Sequence, residues 1–454
     1  RAIPPGRDLL RHGSANLCKV RSCSSPVIEN NLCFTPKACK YHCAFDYHPC
    51  LQSRDDEANA EQQPVLLALT PMNITQVGSN DKTYLRVQEV QVRDAPTGSG
   101  FYRIELKKAL SPGEATTVEV DVLLAKALEM YPKEIIQRER QLVLYSGNHY
   151  VFLPYKCKSQ TTKITLPSAT VESYSKLKPV SMTESTITYG PFSNVEAYSS
   201  DDMTVHYENN NAFLVVSRLE RVLEVSMWGN IAVEETVDVR HNGAVLKGSF
   251  SRYEFQRENS GVSAVKSFKT FLPASANGVY YRDDIGNIST SAMRILDDAV
   301  ELDLRPRFPL FGGWKTHYIL GYNVPSYEYL YNKGDDFVFN MRLLDHVFDE
   351  MLVEEFVVKI ILPEGSKVSK FEAPFPTKRL PDSLHYTYLD IQGLPVVTIE
   401  GVNDLTEKHI MDFQVEFQFS RYGLFFTLKD QISILFLFQI LLHRHNTVVA
   451  AFMN

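Results

Sequence analysis

Four features of the sequence bring together side chains that could do chemistry. Asp345-His346, followed by Asp349-Glu350, sets acids around an imidazole, a mixture able to hold a divalent cation. Acidic neighbours are equally common on a solvated face, and no second histidine lies at ligand spacing, so no metal is expected there. Glu234-Glu235, inside "WGNIAVEETVDV", offers the paired carboxylates of general acid–base catalysis. Neighbours on a strand point to opposite faces, so these two are not expected to converge on one substrate atom. Six of the seven cysteines (Cys18, Cys23, Cys33, Cys39, Cys43 and Cys50) fall within the first 50 residues, and only Cys157 follows. No CxxC pair joins them, which weakens a zinc site despite His42 and His48, and disulfides would need an oxidising compartment. Finally, Asn73-Ile74-Thr75 and Asn287-Ile288-Ser289 are N-x-S/T sequons, acceptors for an N-linked glycan in a secretory compartment.

Other catalytic patterns are missing. There is no H-E-x-x-H, no G-x-S-x-G and no phosphate-binding G-x-x-x-x-G-K-[ST]. Neither catalytic residues nor a cofactor are therefore expected. Net charge is −7, from 47 basic and 54 acidic side chains without long runs of either sign, which argues against nucleic acid as a partner. A 454-residue chain with 44% hydrophobic residues is long enough for two or three domains with real cores.

The elements that must position these groups read as strands. Val118, Val120 and Val122 alternate with acids, as do Val300, Leu302 and Leu304; Phe413, Val415, Phe417 and Phe419 alternate with Gln and Glu. One apolar and one polar face is the pattern of antiparallel sheets. Turn signals at Gly147-Asn148, Gly190-Pro191, Asn242-Gly243, Gly286-Asn287 and Pro363-Glu364-Gly365 suit a sandwich. Residues 119–139 read as a strand leading into a short helix or loop. No G-x-G-x-x-G follows a strand, so a doubly wound sheet is not expected.

"RPRFPLFGGWKTHYILGYNVPSYEYLY", residues 305–331, follows neither a helical nor a strict strand period. Pro306 ends the preceding strand, because proline cannot donate to a ladder, and Gly312-Gly313 admits backbone angles closed to other residues. Trp314, Tyr318, Tyr322, Tyr327 and Tyr329 combine apolar area with a polar tip, as interdomain packing and docking faces do. They are the candidate interface or interdomain aromatics, with core filling and a ligand groove as alternatives.

This stretch resembles the ribophorin I family. The resemblance recurs in order at "GNHY" (147–150), "YGPF" (189–192), "VHYENN" (205–210), "WGNIAVEE" (228–235), "GAVLKG" (243–248), "VYYRDDIGNIST" (279–290), "DHVFDE" (345–350) and "KIILPEG" (359–365). It implies a mostly β protein with two antiparallel β-sandwich-like luminal domains, the first similar to the N-terminal β domain of zinc aminopeptidases. It also implies a single-pass type I protein of the endoplasmic reticulum membrane. The role implied is that of a non-catalytic accessory subunit of the oligosaccharyltransferase, which moves a preassembled glycan from dolichyl diphosphate to sequon asparagines. Implied partners are the other subunits, including the catalytic one, nascent polypeptides, and the translocon and ribosome vicinity. Asn287 matches a position glycosylated in the family, and Asn73 has no such match.

The expected organisation is a cysteine-rich, poorly ordered segment at 1–61, β domains at 62–205 and 206–428, and an apolar segment at 429–454. Ile432–Leu442 is about 16 Å long as a helix, against roughly 30 Å of hydrocarbon. Arg444 follows it, so the segment reads as an incomplete membrane anchor. Residues 1–61 and 432–446 depart from the family pattern, as a gene-model or splicing artefact would. Two other classes remain in view. A degenerate peptidase or glycan hydrolase would need converging acids or a metal, and a secreted binding module would need paired cysteines.

Overall fold

The computed structural model describes residues 126–419, except 154–155, 258–261, 388–392 and 402–403, and seven strand-bearing stretches between Val27 and Leu124. Helix is confined, among the described residues, to Arg252–Arg257, Ser326–Tyr329 and the 3-10 turn Glu407–His409. The rest of the regular structure is strand, and the alternating runs supply it. Val118 to Val122 lie in Thr116–Leu124, Val300 to Leu304 in Ala299–Leu304, and Phe413 to Phe417 in Asp412–Gln418. No helix follows the first of these: the short strands Leu128–Met130 and Glu134–Ile135 come next.

One group of sheets holds the early chain. An eight-stranded sheet runs in the order 180–183, 186–195, 157–165, 27–34, 39–47, 116–124, 73–77, 82–84. Two of its central strands, Val27–Phe34 and Cys39–Tyr47, fall within the 1–61 segment expected to be poorly ordered. The sequence reason is an alternation hidden by the cysteines themselves: Cys39, Tyr41, Cys43, Phe45 and Tyr47 take every second place. Gly190-Pro191, expected as a turn, sits inside Thr186–Val195 instead. The register there slips between Gln160 and Thr162, and Gly190 takes φ +104, so the pair forms a bulge. A four-stranded sheet (171–174, 202–208, 142–148, 128–130) completes the core, which gathers Val143, Tyr145, Ile164, Ile187, Tyr189, Val205 and Tyr207.

The second core belongs to residues from Leu214 onward. Its main sheet pairs Asn230–His241 with Leu214–Val225 on one side and Lys315–Pro325 on the other, both antiparallel. Leu214–Val225 also pairs with Leu352–Ile361 in parallel, an exception to the antiparallel expectation. A boundary at residue 205 would cut the strand Asp202–Glu208, which is bonded into the first group of sheets; the buried residues of the first core run to Phe213 and those of the second begin at Leu214.

Polar groups from both sides meet at the junction, among them the exposed pair Arg138–Glu254 at 3.0 Å. Gln141 donates to the Asn209 carbonyl at 2.9 Å and accepts the Ala244 N–H at 3.0 Å. Gly312 presses on Ala244 so closely that a Cβ there would meet the Ala244 oxygen at 1.8 Å, which requires glycine. Gly313 takes φ +81 beside it. The apolar segment 429–454 lies outside the described residues, among which no helix is long and apolar enough to cross a membrane.

Candidate functional site

The aromatic stretch divides as its period changes. Arg305 to Gly313 is irregular and folds Phe308 and Phe311 against Trp314. With Phe250 and Phe255 these form a five-ring cluster whose neighbouring centroids lie 5.3–5.9 Å apart, mostly edge-on. From Lys315 the chain becomes a central strand, and its even positions turn inward. Tyr318 and Tyr322 are each 1% exposed. They sit in the core of the second body, where Tyr318 packs on Phe268 and Tyr281 and the Tyr322 hydroxyl meets Asp345. Tyr329 is half-buried, with its hydroxyl 3.4 Å from Ser275 Oγ. Tyr327, 76% exposed, is the one of the five candidates left on the surface; its neighbour Ser326 donates to Gly229, in the turn that exposes Trp228.

Tyr322 leads to a charged cluster inside the second core. Register places Arg221 directly opposite Glu235, with Tyr322 one step along the next strand. Arg221 Nη1 donates to Glu235 Oε1, and to Asp345 Oδ2 at 2.6 Å, while the Tyr322 hydroxyl donates to Asp345. Two carboxylates around one guanidinium leave a net negative charge at a buried site. Burial therefore pushes the Glu235 carboxyl up to about 7; Arg221 opposes this and Asp345 adds to it. Burial likewise holds the Tyr322 phenol far above its ordinary range. Arg221 Nε and Asp345 Oδ1 have no partner among the described residues. Acids do converge here, but no substrate reaches them: Arg221 and Asp345 are 0% exposed and Glu235 2%.

The carboxylate pair behaves as strand geometry requires. Glu234 points outward, where Tyr280 and Arg282 donate to it at 2.5 and 3.1 Å, while Glu235 points in. The acid–histidine group is split in the same way. Asp345 turns into the core and His346 turns out, 3.2 Å from Asp349. Glu407 joins this pair from far along the chain, its ligand atom within 4.8 Å of theirs, and accepts the Glu350 N–H. Both carboxylates are exposed, and Glu407 is engaged in closing the turn where Glu350 takes φ 56. Nothing local in the sequence joins Glu407 to His346, nor Arg221 to Asp345; only the sheet register does.

Cys157 is buried, and burial raises its thiol to about 11, so it is a poor nucleophile. Cys33, Cys39 and Cys43 lie in described strands, while Cys18, Cys23 and Cys50 lie outside the described residues.

The two sequons occupy different settings. Asn73 opens the strand Asn73–Val77, which is paired on both sides within the eight-stranded sheet. Asn287 lies exposed on a hairpin, opposite Arg282. The hairpin turn is fixed by Asp283, whose Oδ1 accepts the Ile285 and Gly286 N–H groups at 3.0 Å. Arg307 grips the same carboxylate with two bonds of 2.6 and 2.7 Å, which, with those N–H groups, hold Asp283 down at about 2. Sequence reasoning singled out Asn287 but missed this clamp, since its two halves are distant in the chain.

The profile of the ribophorin I family matches residues 54–443. A Caenorhabditis elegans protein named dolichyl-diphosphooligosaccharide–protein glycosyltransferase subunit 1 is 38% identical over 378 residues, 81% of this chain and 64% of its own. This chain thus spans less than two thirds of that relative's length. The Arabidopsis thaliana subunit 1B is 39% identical over 361 residues, 78% of this chain and 76% of its own. Among solved structures, an M1 zinc metallopeptidase from Deinococcus radiodurans aligns at 12% identity over 44% of this chain and 42% of that one, with a TM-score of 0.28. So slight an overlap supports no inference about fold or activity. With the profile covering most of its length and relatives near 40% identical along more than three quarters of it, the chain belongs to the ribophorin I family.

Proposed function

We propose that this chain is a non-catalytic accessory subunit of the endoplasmic reticulum oligosaccharyltransferase. In this reading it supplies folded luminal surface to a complex that transfers a preassembled glycan from dolichyl diphosphate to sequon asparagines. Bond-making takes place on another subunit. The observation that carries the reading is family membership, with relatives named as subunit 1 of that glycosyltransferase. The two β bodies are the sandwich-like luminal domains, the first akin to the aminopeptidase N-terminal domain, and residues 429–454 contribute to a type I membrane anchor. Its partners are the catalytic and other subunits, nascent polypeptides and the translocon vicinity, and exposed Tyr327 and Trp228 form one contact surface. Asn287, on its exposed hairpin, is the glycan acceptor favoured over Asn73.

Affinity purification of the tagged chain from detergent-solubilised microsomes tests this. The glycan-transferring subunit is expected in the eluate at near-equal amounts. Its absence, with the tagged chain folded and recovered, overturns the reading.

A further inference from the structure

Behind the Asn287 hairpin lies a cleft of about 490 Å³, and Asn287 is itself one of its walls. Phe255 and Phe308 line it, with the Lys266 amine 5.1 Å above the Phe255 ring and Arg305 at the rim. Phe308 is 41% exposed although it packs on Trp314, so one part of the ring meets the core and another the cleft. Arg307 also lines the cleft and is the residue that clamps Asp283, so the wall and the acceptor hairpin are held as one unit. Exposed aromatic surface beside cationic donors is what a sugar residue fits. Its C–H face packs on a ring, and its hydroxyl and acetamido oxygens accept hydrogen bonds from amines and guanidinium groups.

We infer that this cleft cradles the innermost N-acetylglucosamine residues of a glycan carried on Asn287, so that the sugar is a packed part of the second body. The inference rests on the use of Asn287 as an acceptor. It commits to this occupant because Asn287 is itself part of the cleft wall, so the first sugar is tethered beside the cleft at high effective concentration.

The test uses the full chain expressed in cells that glycosylate in the endoplasmic reticulum. Glycopeptide mass spectrometry first reads occupancy at Asn287. The rate of glycan release by a peptide-N-glycosidase is then measured on native protein for wild type, Phe308→Ser and Lys266→Ser, with denatured samples as the accessible limit. Release from native wild type is expected to be at least about tenfold slower than from denatured protein, and each substitution should speed native release severalfold. Lys266→Ser keeps the test available should Phe308→Ser disturb the ring cluster. An occupied Asn287 released at one native rate from all three proteins overturns the cradle and leaves the acceptor reading standing. An unoccupied Asn287 overturns both.

Discussion

The two bodies bury polar groups in opposite ways. In the first, Gln160 is fully buried, yet its amide donates to the His149 carbonyl at 3.0 Å and to Thr162 Oγ1 at 3.2 Å, and accepts the Val151 N–H at 3.3 Å. Thr162 donates to the same carbonyl, and the His149 ring stands edge-on to Tyr189 at 4.8 Å. The His149 ring also lies 3.0 Å from the Asp201 carboxylate, and backbone groups supply most of the other partners. In the second, Arg221, Glu235 and Asp345 carry whole charges and rely on one another, with Tyr322 between them. A cluster built around an amide draws its partners from nearby in the chain. An ionic cluster ties together three strands and a distant loop, but each member is hostage to the others.

The sharpest way to break this comparison is to remove the shared cation. Arg221→Met leaves Glu235 and Asp345 facing each other without a counter-charge, and is expected to cost about 3–5 kcal/mol in urea unfolding. Adding Glu235→Gln and Asp345→Asn should recover part of that loss. The matching change in the first body, Gln160→Leu, orphans the Val151 N–H and is expected to cost about 1–3 kcal/mol. If Gln160→Leu proves the more damaging of the two, the distinction between neutral and ionic clusters does no explanatory service.

Much of this arrangement was legible beforehand, and the rest was not, for a common reason. Period-2 alternation gives away a strand and its buried face, which is how Val300–Leu304 and the outward and inward turns of Glu234 and Glu235 could be read. Alternation is silent on which strand lies beside which. Arg221, Glu235, Tyr322 and Asp345 span more than a hundred residues and meet only through register, so their partnership had no local sign. The same holds for Arg307 with Asp283, and for Glu407 with His346. Gly190-Pro191 misled differently, since a dipeptide that usually turns the chain serves equally well in a bulge. The aromatic stretch resisted reading because it is two structures joined at Trp314: an irregular ring cluster and a central strand.

A gentler probe is pH, which acts on the buried carboxyl of the second cluster. Burial raises Glu235 from an ordinary 4.5 to about 7, so the folded state binds its proton more tightly than the unfolded chain does. That contribution to stability is full below about 4.5 and is lost as pH rises through about 7, with a slope of up to about 1.4 kcal/mol per pH unit. Acidifying from 7.5 to 5 should therefore favour the second body through Glu235. Half-buried His409 works the other way, because burial lowers its pKa and the folded state resists its protonation below 6.5. Asp283, held low by Arg307, matters only below about 4. The difference between wild type and Glu235→Gln isolates the buried carboxyl. A Glu235→Gln profile parallel to wild type would mean that the charged cluster does not titrate.

The smallest expected effect checks that the two clusters report on separate bodies. Lys126, ahead of the first four-stranded sheet, reaches Asp404 at 2.7 Å and Glu354 at 3.2 Å on the second. These ion pairs draw the two bodies together, and hydrogen bonding to Asp404 raises the amine's pKa. The amine is 47% exposed, so water screens it and little net energy is expected. Lys126→Ala should lower the free energy of unfolding by less than about 1 kcal/mol, and should leave the costs of Arg221→Met and Gln160→Leu unchanged when combined with either. The neutral contacts of Gln141 and the close approach of Gly312 to Ala244 would then be what holds the junction. A loss of several kcal/mol, or strong non-additivity with either core substitution, would show that the bodies unfold as one unit and that their clusters cannot be compared as independent designs.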